Sequence, residues 1–99
     1  MVREGHREVL EVDCLIVGGG AAGLSTAIRL AELLKSETRR DLSGATILLI
    51  EKGDRPGAHS LSGAVLDPSS LLELLPDAEA DGAPLGVPVT SDEVRFLTA

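Results

Sequence analysis

Three glycines at fixed spacing, Gly18, Gly20 and Gly23, close a short apolar run and open an amphipathic one. That spacing has a chemical use. The first glycine permits a tight turn out of a strand, and the second leaves the backbone without a Cβ where a pyrophosphate can approach. The third lets a helix pack close to the strand. The helix N-terminus then offers unpaired N–H groups and a positive dipole end to the anion. A second group lies downstream. Glu51, 28 residues after Gly23, ends another apolar run. A carboxylate there would accept hydrogen bonds from ribose hydroxyls and would repel a 2′-phosphate, which disfavours NADP. The spacing exceeds the usual separation of about 20 residues, and a polar loop at residues 36–44 absorbs the excess. These residues specify a dinucleotide and do not by themselves choose between FAD and NAD.

The elements that must hold these groups are legible in the hydrophobic pattern. Cys14, Leu15, Ile16 and Val17 form a continuous apolar run, as in a strand buried on both faces. From Ala21 the period becomes helical, with Leu24, Ala27, Ile28, Ala31 and Leu34 on one face and Arg29, Glu32 and Lys35 opposite. Thr46, Ile47, Leu48, Leu49 and Ile50 make the second strand. Strand, helix and strand compose one βαβ crossover with parallel strands, expected to be right-handed. A Gly/Pro/Ser-rich stretch follows at residues 52–63. Asp67 then reads as an N-cap with Pro68 at the first helical position, and a short helix through Ser69 to Leu75 stops before Pro76. Residues 94–98 are expected to be a short strand. The fold class is therefore α/β: the N-terminal βαβ portion of a Rossmann-type domain, incomplete because a two-stranded parallel sheet normally needs further strands. Residues 1–12 read as an N-terminal extension, and residues 13–99 as a partial domain.

Composition excludes several function classes. The chain has 99 residues, is 43% apolar and carries a formal net charge of −7, so a packed core is feasible and a nucleic-acid backbone is a poor partner. Phe96 is the only aromatic residue, which removes base stacking on single strands. Cys14 is the only cysteine, so neither an internal disulfide nor a cysteine-based metal centre can form within the chain. The first ten residues mix acid and base without an apolar core, unlike a signal or transit peptide. No apolar stretch approaches the length of a membrane span.

Beyond the glycine turn, the sequence from Val17 to Leu24, VGGGAAGL, resembles the FAD motif of the glutathione-reductase-type flavoproteins, with Ala21 where that group usually has proline. The stretch Glu51, Lys52, Gly53, followed by GAHSLSGAVLDP at residues 57–68, closely resembles the electron-transfer flavoprotein:ubiquinone oxidoreductase family. GAPL at residues 82–85, PVT at 88–90 and RFLT at 95–98 continue the match. The resemblance covers about residues 13 to 98 and only the first part of that family's longer protein. It implies FAD and a [4Fe–4S] cluster as redox centres, the cluster's ligands lying outside this chain. The implied partners are reduced electron transfer flavoprotein and ubiquinone.

The resemblance carries Gly18, Gly20 and Gly23 with Ala21 and Ala22 over as pyrophosphate contacts and Glu51 as the ribose contact, with Gly19 and Lys52 also among the cofactor-binding residues. Gly57, His59, Ser62 and Gly63 follow in a loop near the flavin side. It implies no catalytic acid, base or nucleophile, because the electron chemistry belongs to the cofactors; a loop histidine such as His59 with no carboxylate partner identifiable from sequence is ordinarily structural or solvated. It also implies monotopic membrane contact through Leu71, Leu72, Leu74 and Leu75, where sequence alone favours packing into the domain. The implied location is the cytoplasmic face of a bacterial inner membrane, or the mitochondrial inner membrane if Met1 is not the natural start. Two alternatives stand beside this reading: another flavoprotein such as a geranylgeranyl-reductase-like protein, and an inactive gene fragment.

Overall fold

The computed structural model describes residue 5, residues 7–61 and residues 63–99. The chain divides into two units, Met1–Ser60 and Leu61–Ala99. The first contains strand β1 (Cys14–Val17), helix α1 (Ala21–Lys35) and strand β2 (Ile47–Ile50). β1 and β2 pair in parallel, with Cys14 opposite Ile47 and Val17 opposite Ile50. The expected βαβ order is present. Helix α1 packs on both strands, with Ala27, Ile28, Ala31 and Leu34 half-buried. Alternation along β1 turns Ile16 inward (8% exposed) and leaves Leu15 and Val17 open at 52% and 76%. Within this unit the sheet is therefore covered on the α1 face alone, as a lone βαβ crossover must be.

Thr46, expected within the second strand, instead closes the sheet's entry. Its N–H donates to Asp13 Oδ2 at 2.7 Å and its hydroxyl to the same oxygen at 3.0 Å, while the Asp13 N–H donates to the Thr46 hydroxyl at 3.2 Å. The Cys14 N–H then donates to the Thr46 carbonyl at 3.0 Å. The Thr46 N–H, and next its hydroxyl, hold the Asp13 carboxyl below its usual range. A carboxyl depressed on folding stabilises the native state above its unfolded pKa, and that stabilisation is lost as pH falls through the folded value. Asp13→Asn is accordingly expected to lower the melting temperature at pH 7 and to reduce its fall between pH 7 and about pH 3. Thermal melts at the two pH values measure this.

The second unit contains helix α2 (Ser69–Leu74). Pro68 occupies the N-cap, one position later than expected for the cap, but Asp67 still satisfies the helix start: its Oδ1 accepts the Ser69 N–H at 3.0 Å. Ala78 (5% exposed) is the buried point of this unit, and its carbonyl accepts the Ala83 N–H at 2.8 Å. Residues 94–98 are not a strand. Val94, Phe96 and Leu97 stand 72%, 89% and 95% exposed, and the described residues of this unit contain no strand to pair with them. β-propensity without a ladder partner does not make a strand.

Candidate functional site

The site forms where both strands of the first unit end. The Gly18 N–H carries the ladder one step past β1, donating to the Ile50 carbonyl at 2.8 Å. Gly18 then turns the chain at φ +107°, a conformation that disfavours side chains. Gly20 caps α1 with φ −86° and ψ −172° and provides no side-chain cap. Its carbonyl takes the first helical bond, from Leu24 N–H at 3.0 Å. The N–H groups of Gly20, Ala21, Ala22 and Gly23 therefore donate to no protein acceptor among the described residues. Four such donors at the positive end of a 15-residue helix could hold an anion.

The missing Cβ has different consequences at two of the glycines. A Cβ on Gly23 would stand 1.9 Å from the Gly18 carbonyl oxygen and 3.4 Å from Ile16 Cγ2, so helix and strand touch backbone to backbone there. A Cβ on Gly20 would meet nothing within 4 Å. Its absence leaves open space in front of the donors, the cradle that a phosphate would fill.

Glu51 directly follows β2 and is half-buried. Its Oε2 accepts the Gly19 N–H at 2.8 Å and its Oε1 the Gly53 N–H at 3.1 Å. The Gly53 and Gly19 N–H groups together hold the carboxyl below the usual glutamate range, partial desolvation opposing them and the His59 charge adding a smaller pull. Of the roughly four acceptor positions on a carboxylate, these bonds occupy two and leave room for two ligand hydroxyls. Val17, Gly18, Ile50, Glu51 and Lys52 line a cavity of about 300 Å³ at this strand end. Open parallel sheets place their ligands at such ends.

Gly18, Gly19, Gly20, Ala21, Ala22, Gly23, Glu51 and Lys52 thus meet at one edge. The His59 imidazole lies beside Gly53, where a Cβ would be 3.3 Å from its Cε1, and Gly57 shapes the intervening turn at φ +83°. Gly63 belongs to the second unit and adopts φ +99°; Ser62 lies outside the described residues. Sequence reasoning missed the two amides on Glu51. A glycine two residues past the strand-ending acid was the available sign for one of them.

Over residues 16–82 the sequence matches the family described as NAD(P)-binding Rossmann-like domain. The chain belongs to that family. Its relatives sharpen the placement. It is 50% identical over 92 residues to the protein named "Probable electron transfer flavoprotein-ubiquinone oxidoreductase" of Acinetobacter baylyi, covering 93% of this chain and 16% of the relative. It is 50% identical over 88 residues to the mitochondrial electron transfer flavoprotein-ubiquinone oxidoreductase of Rattus norvegicus, covering 89% of this chain and 14% of that protein. The corresponding protein of Pseudomonas aeruginosa is 47% identical over 92 residues, 93% of this chain and 16% of its own length. The resemblance read from the loop motifs is therefore found across bacterial and mitochondrial proteins. The chain spans about 16% of the length of the bacterial relatives it matches.

Proposed function

We propose that the first unit holds the ADP half of FAD and contributes this half-site to an oxidoreductase that passes electrons from reduced electron transfer flavoprotein to ubiquinone. One observation carries the reading: four unpaired N–H groups at the start of α1 stand next to a carboxylate that Gly19 ties to the same turn. The N–H groups of residues 20–23 would hold the pyrophosphate, and Glu51 would accept the adenosine ribose hydroxyls with Lys52 beside it. The choice of FAD over NAD rests on the motif at residues 51–53 and 57–68 and on the names of the relatives. When bound, FAD would supply the electron chemistry, and the residues of this chain would bind and orient it without an acid–base pair. Gly57 and His59 of the first unit are its flavin-side contacts in this proposal. A [4Fe–4S] cluster takes four thiolates, and with Cys14 the only cysteine its ligands lie outside these residues.

ADP is the appropriate probe, because it is the part of the cofactor that a βαβ unit grips. Titration of the isotope-labelled chain with ADP is expected to shift the amide resonances of residues 18–23 and 51–53. Adenosine 2′,5′-bisphosphate is expected to bind more weakly, since its 2′-phosphate meets Glu51. Unmoved amides at millimolar ADP would refute the half-site.

Membrane contact through Leu71, Leu72, Leu74 and Leu75 belongs to the same proposal. All four are half-buried, and Leu71 and Leu75 line a cavity of about 320 Å³ with Ala78, Asp81, Gly82 and Ala83. No helix of the described residues is long and apolar enough to cross a membrane, so the contact would be monotopic. Replacing Leu71 and Leu75 by Glu is expected to abolish sedimentation with neutral phosphatidylcholine vesicles; undiminished sedimentation would remove this part of the reading.

A further inference from the structure

Glu51 is held by one residue that the dinucleotide motif does not include. Its Oε2 bond to Gly19 is 2.8 Å and its Oε1 bond to Gly53 is 3.1 Å. The first fixes the carboxylate to the glycine turn, and the second fixes it to the segment leaving its own strand. At 3.1 Å the Gly53 bond has the less length to spare, because N–H···O bonds weaken beyond about 3.2 Å. Gly53 lies against a double turn at residues 55–60. There the Ala58 N–H donates to the Arg55 carbonyl at 3.2 Å and the Ser60 N–H to the Gly57 carbonyl at 3.0 Å. A Cβ on Gly53 would stand 3.1 Å from Ala58 Cβ and 3.3 and 3.5 Å from His59 Cε1 and Nδ1. Gly53 does not adopt a left-handed conformation, so the demand on it is for space.

We propose that Gly53 is a positioning residue for Glu51: lacking a Cβ, it lets the turn at residues 55–60 close on it while its N–H holds Oε1, so that the free acceptor positions of the carboxylate face the adenosine ribose. This role rests on the ADP half-site proposed above. A methyl at residue 53 must push Ala58 and His59, or be pushed by them, by a few tenths of an ångström. A bond already 3.1 Å long would then leave the range of good geometry. The depressed Glu51 carboxyl, for which the Gly53 N–H is the largest cause, gives the contact its own readout.

The test uses the whole 99-residue chain, with Gly53→Ala and the double variant Gly53→Ala/Ala58→Gly, which removes the nearest obstructing atom. Carbon-13 NMR follows the Glu51 carboxyl through its titration, and ADP titration gives affinity. Gly53→Ala is expected to move the Glu51 midpoint upward and to weaken ADP about 3- to 10-fold, the scale of one charge-assisted hydrogen bond partly lost. The double variant is expected to recover both. In the unsubstituted chain the Gly53 amide proton should titrate together with Glu51, and a flat Gly53 amide would overturn the contact even if the substituted chains did not fold. ADP binding indifferent to Gly53→Ala, or a double variant with no recovery, overturns the positioning role alone. An unsubstituted chain that does not bind ADP overturns the half-site and this role together.

Discussion

Gly23→Ala is expected to destabilise the first unit severely and with it to weaken ADP binding. The added Cβ would stand 1.9 Å from the Gly18 carbonyl oxygen, well over 1 Å inside van der Waals contact. The obstacle is backbone, so rotation of a side chain cannot relieve it. Gly18 is itself fixed by its bond to the Ile50 carbonyl at 2.8 Å and by a φ of +107°. Relief requires α1 to lift off the sheet, which would expose Ile16, the most buried side chain of this unit. Overpacking a core costs about 1–3 kcal/mol and more when backbone must move. A small unit has about 0.05–0.15 kcal/mol of stability per residue, so that cost consumes much of the total. A fall in melting temperature of at least about 10 °C is expected, read from the helical circular dichroism signal. Gly20→Ala separates folding from binding. Its Cβ meets nothing within 4 Å, so the melt should stay near that of the unsubstituted chain while the methyl occupies the phosphate's space and weakens ADP at least about 10-fold. A Gly23→Ala chain that melts normally would refute the close helix–strand contact.

The contrast between these glycines marks what the sequence could and could not disclose. Spacing and periodicity are local, so the glycine turn, the Ala21–Lys35 helix and the acid after the second strand were all readable from neighbouring residues. The clasp of Asp13 on Thr46 joins residues 33 apart, and the bond from Gly19 to Glu51 joins residues 32 apart. Such contacts arise only once strand register is set, and the register of Cys14 with Ile47 was not encoded in either segment alone. The same reasoning explains residues 94–98. Val94, Phe96 and Leu97 have the side chains of a strand, but a strand exists by virtue of its neighbour. Asp67 shows a milder case: the capping chemistry was correct, and the helix boundary moved by one residue.

Reversing the charge at Glu51 is expected to reverse the nucleotide preference. In the native site two backbone donors, from Gly19 and Gly53, converge on the carboxylate. An arginine there brings further donors and a positive charge to a place already supplied with donors, and it can accept nothing from a ribose hydroxyl. ADP should bind about 30- to 100-fold more weakly, corresponding to the loss of charge-assisted bonds to the ribose. The 2′-phosphate of adenosine 2′,5′-bisphosphate, repelled by the native acid, should now be favoured, because guanidinium groups match phosphate geometry. The ratio of the two affinities, measured at one salt concentration, should therefore fall on opposite sides of unity in Glu51→Arg and in the unsubstituted chain. Glu51→Gln isolates the charge. An amide has one acceptor oxygen, so only one of the two N–H groups keeps its bond while the other faces an NH₂. The variant also removes an acid-sensitive contact. Because folding depresses the native carboxyl, its contribution is complete above the unfolded glutamate range of about 4.3 and is lost as pH falls through the folded value. ADP affinity of the unsubstituted chain should accordingly be level near neutrality and decline on the acid side. In Glu51→Gln it should start low and show a smaller acid decline. An unchanged preference in Glu51→Arg would show that this carboxylate does not face the ribose.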